Sequence, residues 1–575
     1  MRRRTIIKSV AGAGAAIVTQ PALALNALLA PDWSALTAQL GDRLIRIRSP
    51  LVDCARAGGE GAEALFERIN NPYYLGDEPG LTQTLGWTGA WTSQPSDFAV
   101  TAESAADIAA AVDFARRHGM RLVVKGGGHS YFGNSNGAGS LLVWTRRMRA
   151  IELHDDFVGQ GCPANPSPIP AVSVGAGAIW GQVYDAVAVQ AGRYVQGGGC
   201  LTVGVAGFVL GGGFGSLSKA FGTGAANLLE AEVVTADGQV RIANACHEPE
   251  LFFALRGGGG GSFGVVTRLT LRTHELPATI GAVLSSITAR SDAAWRALVG
   301  RIIAFYAEAL FNPAWGEQIR FSPGRQLSVS MMFHGLGRDE AQAVWAPFLA
   351  WIGERGDDYE MAGEPVIIAA TGRQFWDPAY LETLPGIVLP DDRPDAPSSN
   401  VFWAANLGEA GQTLHAYQSA WLPARLLGVD QQIALVDALV AASSIWGVAL
   451  HTNKGLAGGT PFALARTRET ATNPAVLNAF ALLICAADAP PAWPGIPGHE
   501  PDLETGRRRA ARVTEAMAPI RRLVPDAGAY VSESDYFERD WKRAYWGEHY
   551  RRLSAAKRRY DPSNLFRVHN GVEQS

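Results

Sequence analysis

Three glycine-rich blocks, at 126–128, 197–215 and 257–264, constrain the fold of this chain more than any other feature of its sequence. Each block lies directly beside a segment whose apolar pattern predicts a β-strand. Because glycine has no Cβ, backbone amides in such blocks can approach an anion closely. Three blocks beside strands can therefore surround one long ligand with a pyrophosphate in its middle.

The spacing of the glycines disfavours the two common nucleotide-binding motifs. Gly259, Gly261 and Gly264 match the Rossmann pattern GxGxxG, but a predicted helix precedes them and a predicted strand follows them. The Rossmann mechanism requires the reverse order, in which a helix N-terminus points at the pyrophosphate. The P-loop pattern GxxxxGK[ST] does not occur in the chain. We therefore expect neither a Rossmann site nor a P-loop.

Alternating strand and helix patterns predict an α+β fold with two lobes. The clearest predicted elements are helices at 104–118, 180–191 and 339–351 and strands at 121–125, 171–174, 265–274 and 326–333. The pattern changes near residue 280, where the second lobe is predicted to begin, and the chain after 505 reads as helical and basic up to Tyr560. No segment of 20–50 residues repeats, which disfavours a solenoid or a propeller.

Composition excludes several classes of protein. Hydrophobic residues make up 47% of the chain and charged residues 18%, which is typical of a globular protein with large buried surfaces. The formal net charge of −4 supplies no field that would recruit nucleic acid or an anionic membrane. The five cysteines are too few and too scattered for a disulfide scaffold, and without a CxxC pair they do not indicate zinc or another metal site.

The N-terminus predicts export. Arginines at 2–4 precede a short apolar stretch at 9–18 and a small-x-small cleavage pattern at 22–24. The paired arginines resemble a twin-arginine (Tat) signal, which carries folded, cofactor-loaded proteins out of the cytoplasm. The alternative is a basic amphipathic N-terminus that carries no targeting signal. Because no other segment shows about 18 uninterrupted apolar residues, we expect no stable membrane insertion of the mature chain.

Several motifs resemble a known flavoprotein family. KGGGHSYFGN at 125–134, the block at 197–215 and GGGGGSFGVV at 257–266 resemble the FAD-binding domain shared by p-cresol methylhydroxylase and vanillyl-alcohol oxidase. The sequences AYV at 529–531 and YDPSNLF at 560–566 resemble the tail of the berberine-bridge-enzyme-like branch of that superfamily. The resemblance covers well under half of the chain, but its two distant parts occur in the right order.

This resemblance implies a two-lobed flavoprotein: a PCMH-type FAD-binding domain and a substrate domain built on an antiparallel sheet with helices. The expected divisions are a Tat-type signal at 1–24, an N-terminal wrap at 25–93, the FAD domain at 94–276, the substrate domain at 277–504, and a C-terminal segment at 505–575 that returns to the FAD domain.

The same resemblance implies a flavin held by two covalent bonds. His129 matches the histidine bonded to the flavin 8-methyl carbon, and Cys200 matches the cysteine bonded to flavin C6. Imidazole and thiolate are strong nucleophiles, and an electron-poor ring accepts them. Outside their blocks the two residues would be interpreted as a loop histidine and a small buried side chain, and the other four cysteines as structural or unpaired. The implied noncovalent cradle comprises Gly127, Gly128, Ser130, Thr202, Val203, Gly204, Gly207, Gly212 and Val266.

The implied reaction moves a hydride from substrate carbon to flavin N5 while a base takes the hydroxyl proton. Tyr530 matches a tyrosine that faces the flavin in relatives, and its pKa would need lowering by a nearby cation. Packing alone is the alternative role for Tyr530, and Glu533 and Asp535 are the reserve bases. The family tail usually reads Tyr-x-Asn, whereas this chain has Ser532 at the third position. Two further departures are Leu201 in place of proline and Phe221 in place of tyrosine, and all three weaken transfer of a substrate-specific mechanism.

Three functions stay open at this point. The first is an oxidase that acts on an alcohol, a sugar or an aromatic substrate and returns electrons to O2. The second is a dehydrogenase that passes electrons to a quinone or cytochrome, and the third is a non-catalytic flavoprotein. Val203 favours the oxidase, because relatives that admit oxygen tend to carry valine there and dehydrogenases a bulkier leucine.

Overall fold

The computed structural model describes residues 31–163 and 168–574. The predicted signal at 1–24 lies outside the described residues, as does part of the proline-rich loop near 160–170. The described chain is an α+β molecule with two lobes, which confirms the predicted fold class. In the described ranges, no helix is long and apolar enough to cross a membrane.

The first lobe contains two sheets. The smaller sheet has four strands in the spatial order Leu44–Arg46, Phe98–Thr101, Ser140–Trp144 and Arg121–Lys125. Its last three strands are parallel, so their carboxyl ends share one edge. The larger, antiparallel sheet consists of Val240–Asn244, Leu228–Val234, Val265–Glu275, Ala171–Gly175 and Ile151–His154, with Arg193–Val195 paired to the end of the third strand.

Local sequence explains how the first glycine block is presented. Helix Ala105–Arg117 begins at Ser104, whose hydroxyl accepts from the N–H of Asp107 at 3.3 Å in a capping box. Gly119 follows the helix with φ +58°, a conformation that suits glycine, and strand Arg121–Lys125 begins two residues later. The parallel strand ends at Lys125, so residues 126–130 emerge at the carboxyl edge of the sheet.

The second lobe is built on a ten-stranded sheet. Its strands are Tyr359–Met361, Thr279–Ala289, Gln326–His334, Trp315–Ser322, Val448–His451, Ala479–Ala489, Gln412–Pro423, Thr84–Trp87 and Trp91–Thr92, with Val366–Thr371 also paired to the second of these. Its major helices are Asp292–Phe305, Arg338–Gly353, Val429–Ile445 and Leu503–Leu523. Their apolar residues form the largest core cluster together with the sheet.

Shorter helices complete the fold. They are Trp33–Leu40, Pro50–Arg56, Ala62–Ile69, Pro72–Asp77, Trp180–Tyr184, Val205–Leu210, Ser218–Phe221, Pro249–Leu255, Gly372–Trp376, Pro378–Leu381, Pro461–Arg468, Trp541–Trp546 and Tyr550–Tyr560. A two-stranded hairpin pairs Val388–Pro390 with Val401–Trp403.

Several sequence expectations need correction. The segment predicted as an N-terminal wrap also contributes a sheet strand, because Thr84–Trp87 pairs in parallel with Gln412–Pro423 of the second lobe. The helix predicted over 180–191 is α-helical only at Trp180–Tyr184 and continues as a π-helix over Asp185–Gln190. The helical region after 505 is interrupted between Leu523 and Trp541, because Pro525 and Gly528 break the pattern.

Two of the four remaining cysteines form a disulfide, which makes them structural. Cys162 is bonded to Cys246 across a sequence separation of 84 residues. The bond joins the proline-rich loop to the chain just after strand Val240–Asn244, where Asn244 also donates from Nδ2 to the Gln160 carbonyl at 3.0 Å. Spacing along the chain gave no sign of this pair, because the two cysteines meet only when the loop folds onto the sheet.

A buried ammonium in the C-terminal segment binds the segment to the first lobe. Lys557 Nζ donates to Asp561 Oδ2 at 2.7 Å, and both side chains are 0% exposed. The same ammonium donates to the carbonyls of Ser262 at 2.7 Å and Phe566 at 2.5 Å. Because Ser262 lies in the third glycine block, the tail closes over the glycine-rich side of the molecule.

Candidate active site

A cavity of about 950 Å³ lies where the two lobes meet. Residues of all three glycine blocks line one part of it, and residues of the ten-stranded sheet and of the segment 380–409 line another. Its volume and its glycine-rich wall suit one large ligand that also faces residues of the second lobe.

His129 and Cys200 lie together at this cavity. The Thr202 hydroxyl is 3.3 Å from His129 Nε2 and 3.5 Å from Cys200 Sγ, so one side chain contacts both. Each predicted attachment residue is half-buried and lines the cavity wall. The sequence places them 71 positions apart, and the fold brings them to the same hydroxyl.

Burial shifts the protonation of both side chains. It lowers the pKa of His129 to about 4, so the imidazole is neutral at physiological pH and keeps a free lone pair. Burial, followed by the negative charge of Glu409, raises the pKa of the Cys200 thiol to about 11. The histidine is therefore in its nucleophilic form, whereas the cysteine must lose a proton before it can act as a nucleophile.

The glycines of the first two blocks permit a direct backbone contact. A Cβ on Gly127 would lie 2.6 Å from the Gly204 nitrogen, and one on Gly204 would lie 2.7 Å from the Gly127 nitrogen. In contrast, a Cβ on Gly199 or Gly207 would meet no atom within 4 Å. Both of these glycines line the cavity, so the space beside them is left for a ligand.

Most of the predicted cradle reaches the cavity. Its lining includes Gly127, Gly128, Ser130, Val203, Gly204, Gly207 and Val266. Thr202 and Gly212 do not line it. Thr202 instead lies behind His129 and Cys200, and Gly212, at φ +110°, packs close to Thr472.

Tyr530 lies at the cavity with its side chain almost entirely buried. Its hydroxyl accepts from the N–H of Gly213 at 3.2 Å. Its ring packs edge-on against the ring of Phe214, with 4.9 Å between the ring centroids. Burial and then the charge of Glu533 raise the pKa of Tyr530 well above its usual value. The nearby ammonium of Lys454 is paired with Glu533, so the phenol lacks the cation that the sequence argument required.

The two reserve bases differ in position. Glu533 lines the cavity beside Lys454, whereas Asp535 is not among the lining residues. The carboxylate of Asp535 accepts from Gln418 Nε2 at 3.1 Å and from the N–H of Phe537 at 3.0 Å. Asp535 therefore has a structural role in the tail.

Sequence reasoning missed the polar groups that the second lobe contributes. The cavity lining also includes Glu317, Glu409, Asn453, Lys454 and Tyr417. Apart from the adjacent Asn453 and Lys454, these residues come from separate segments, and none of them lies in a motif that could have identified it. Trp403 was missed as well, and its indole donates to the carbonyl of Gly199, next to Cys200, at 2.6 Å.

Comparison with known proteins agrees with this geometry. A family model described as "FAD binding domain" matches residues 96–244, and one described as "Berberine and berberine like" matches residues 529–573. The FAD-linked oxidoreductase penH of Penicillium thymicola is 32% identical over 573 residues, covering 94% of this chain and 90% of that protein. The FAD-linked oxidoreductase easE of Arthroderma otae is 32% identical over 486 residues, covering 83% of this chain and 72% of that protein. This chain belongs to the berberine-bridge-enzyme-like FAD-linked oxidoreductases.

Solved structures share the fold. The VAO-type flavoprotein MtVAO615 from Myceliophthora thermophila C1 superposes with a TM-score of 0.75 at 23% identity and covers 95% of both chains. Glucooligosaccharide oxidase from Acremonium strictum superposes with a TM-score of 0.64 at 20% identity, covering 86% of this chain and 94% of that one. At these identities the comparison establishes the architecture.

The residues present fit FAD. The open space beside Gly199 and Gly207 is a cradle that any larger side chain would fill. The cavity is lined both by the glycine blocks and by the sheet of the second lobe, as a dinucleotide with a substrate beside it requires. Gly127, Gly128, Ser130 and Gly204 would hold the cofactor, and His129 and Cys200 line the same cavity.

Proposed function

We propose that this protein is an FAD-linked oxidase that oxidises a hydroxyl of an alcohol or a sugar and returns the electrons to O2 as H2O2. The observation that supports it most is the convergence of His129 and Cys200 on one cavity that continues into a polar compartment of the second lobe. Bound FAD supplies the hydride acceptor for such a reaction. Two structures with this fold are named glucooligosaccharide oxidase and chitooligosaccharide oxidase, which supports a carbohydrate or similar small molecule as the substrate.

The protein residues bind, orient and exclude water in this proposal. The glycine blocks position the cofactor through their backbones, and the second lobe positions the hydroxyl against it. The aromatic residues Phe375, Trp376 and Trp403 line the cavity and reduce its contact with water. Dehydrogenase activity with a quinone or cytochrome acceptor, and a non-catalytic flavoprotein, are the competing functions.

We also propose that His129 and Cys200 each form a covalent bond to the flavin. Their shared contact with Thr202 places both nucleophiles on one side of the cavity, as a single ring system requires.

The flavin should therefore stay on the protein after acid or detergent denaturation. His129→Ala and Cys200→Ala should each retain it through the remaining bond, whereas the double variant should release it. Absorbance of the precipitate and the supernatant measures this directly. Cys54→Ala is the matched control, because it removes another free thiol, outside the cavity. Free FAD released from the denatured wild-type protein would contradict covalent attachment.

The oxidase and the dehydrogenase differ in their electron acceptor. Val203 lines the cavity, and the family resemblance associates valine at this position with relatives that admit oxygen. An oxidised substrate should therefore yield about one H2O2 per turnover in air, measured with a peroxidase-coupled assay. Turnover that needs an artificial quinone and produces no peroxide would identify a dehydrogenase. If no member of an alcohol and sugar panel bleaches the flavin under anaerobic conditions, the non-catalytic function is favoured.

Tyr530 is the proposed proton acceptor. Because its pKa is raised, the phenol is protonated at neutral pH and the reactive phenolate is a minor species. At every pH below the raised pKa, the phenolate fraction increases as the pH rises. The rate of flavin reduction should accordingly increase between pH 7 and 9.

Tyr530→Phe should lower the anaerobic rate of flavin reduction by about 10²–10⁴-fold and abolish its rise with pH. Stopped-flow absorbance measures both effects, and reoxidation by O2 should change little. Tyr545→Phe is the matched control, because this tail tyrosine is also buried but does not line the cavity. A loss of less than about tenfold in Tyr530→Phe, with the flavin still bound, would assign Tyr530 a structural role and make Glu533 the next candidate.

Export through the Tat route is proposed as well. The disulfide between Cys162 and Cys246 supports it, because disulfides persist in oxidising compartments outside the cytoplasm. Replacing Arg3 and Arg4 with lysine should retain the precursor in the cytoplasm, as cell fractionation and immunoblotting would show. Undiminished export of that variant would contradict a Tat signal.

A further inference from the structure

Glu317 has a backbone conformation that a residue with a side chain rarely adopts. It lies in strand Trp315–Ser322 with φ +75°, in the left-handed region. Such a geometry persists only where the surrounding structure enforces it, and it is concentrated at functional sites. Glu317 also lines the cavity, in the compartment contributed by the second lobe.

Two contacts hold the backbone in this conformation. The N–H and the hydroxyl of Thr452 both donate to the Glu317 carbonyl, at 2.9 and 3.0 Å. Gly316 packs directly on the loop that follows the second glycine block, since a Cβ there would lie 2.1 Å from the Ser216 carbonyl oxygen. The strand is therefore pressed against the first lobe at the point where it carries Glu317.

The carboxylate is oriented by one of its oxygens. Ser216 Oγ donates to Oε1 at 2.5 Å, and Asn453 Nδ2 donates to the same oxygen at 3.2 Å. Both of these bonds use Oε1, which leaves acceptor capacity on Oε2. Burial raises the pKa of Glu317, as expected for a carboxyl that lacks a directly paired cation.

Asn453 supplies a second unused acceptor. Its side chain is 2% exposed and lines the cavity, and its Oδ1 has no hydrogen-bond partner among the described residues. The amide orientation is fixed by Glu317, because the opposite orientation would set two acceptors against each other. Buried polar atoms of this kind are normally satisfied, so the missing partner indicates a ligand.

The neighbouring ammonium is directed to another carboxylate. Lys454, the next residue along the chain, forms an ion pair with Glu533. Glu317 Oε2 and Asn453 Oδ1 are both acceptors, so a group bound to these two atoms must supply the hydrogen atoms.

We propose that Glu317 and Asn453 form a subsite that binds a hydrogen-bond-donating group of the substrate, either a hydroxyl or a protonated amine, beside the hydroxyl that is oxidised. This inference rests on the proposed function and adds the class of substrate. The subsite fixes the register of the substrate, so it decides which carbon faces the flavin.

Binding to the dithionite-reduced holoenzyme tests the subsite without turnover, because the reduced flavin cannot accept a hydride. The probes are 1-phenylethane-1,2-diol, 2-amino-1-phenylethanol and 2-methoxy-1-phenylethanol, which place a hydroxyl, an ammonium or an acceptor-only ether beside one carbinol. Titration calorimetry should give a Kd at least tenfold lower for the diol or the amine than for the ether. Whichever of the two binds more tightly identifies the donor as hydroxyl or ammonium.

Glu317→Gln should reduce that discrimination to less than about threefold, because the amide replaces a carboxylate acceptor at constant volume. Asn453→Ala should also reduce the discrimination among the probes. It replaces Glu317→Gln as the test if that variant proves unstable in a thermal melt. Glu360→Gln is the matched control, since it makes the same change at an exposed position of the same sheet and should preserve discrimination.

The inference fails if the wild-type protein binds the three probes equally, or if both variants discriminate as the wild type does. The proposed oxidase function is tested separately with oxidised enzyme and the alcohol and sugar panel. Discrimination among the probes without flavin reduction by any substrate would retain the subsite and reject the oxidase. Flavin reduction by a substrate, together with unchanged discrimination in both variants, would retain the oxidase and reject the subsite.

Discussion

The backbones of Gly127 and Gly204 touch, and the geometry of the site depends on that contact. A side chain at either position would place its Cβ within 2.7 Å of a backbone nitrogen of the other block. No rearrangement of a flexible side chain could relieve such a clash, because backbone faces backbone on both sides. The contact brings His129 and Cys200 to the same Thr202 hydroxyl, although they are far apart in the sequence.

Closure of the site depends on a second constraint at the end of the chain. The bond from Lys557 to the Ser262 carbonyl holds the tail against the third glycine block, and Asp561 compensates the buried charge of Lys557 within the tail. Removing one partner of a pair that is 0% exposed would leave a buried charge uncompensated, which typically costs about 3–5 kcal/mol. The same tail carries Tyr530 and Glu533 to the cavity, so its attachment also positions the proposed proton acceptor.

The polar compartment is assembled from both lobes. Ser216 belongs to the loop after the second glycine block, Glu317 and Asn453 belong to the second lobe, and Glu533 belongs to the tail. A change in the packing of one lobe against the other would thus alter the cofactor and substrate compartments together. The strand Thr84–Trp87, which joins the N-terminal segment to the ten-stranded sheet, further restricts such movement.

The sequence by itself determined those helices and strands that depend on interactions between residues close together in the chain. Strand Arg121–Lys125 has the bounds that its apolar run predicts, and helix Ala105–Arg117 begins at the serine that caps it. The alternating strand and helix patterns were sufficient to predict the fold class, and the glycine blocks and the tail motif were sufficient to predict the family by resemblance. His129, Cys200 and Tyr530 were named through the same resemblance, and their chemical roles stay predictions.

Tertiary structure alone decided the rest. The Cys162–Cys246 disulfide, the sheet position of Thr84–Trp87 and the acceptors Glu317 and Asn453 all depend on contacts between segments distant in sequence. Burial and the charge of Glu533 likewise raise the pKa of Tyr530, whereas a nearby cation would have lowered it. A sequence specifies which side chains are available, but desolvation and pairing are set by what the fold places around them.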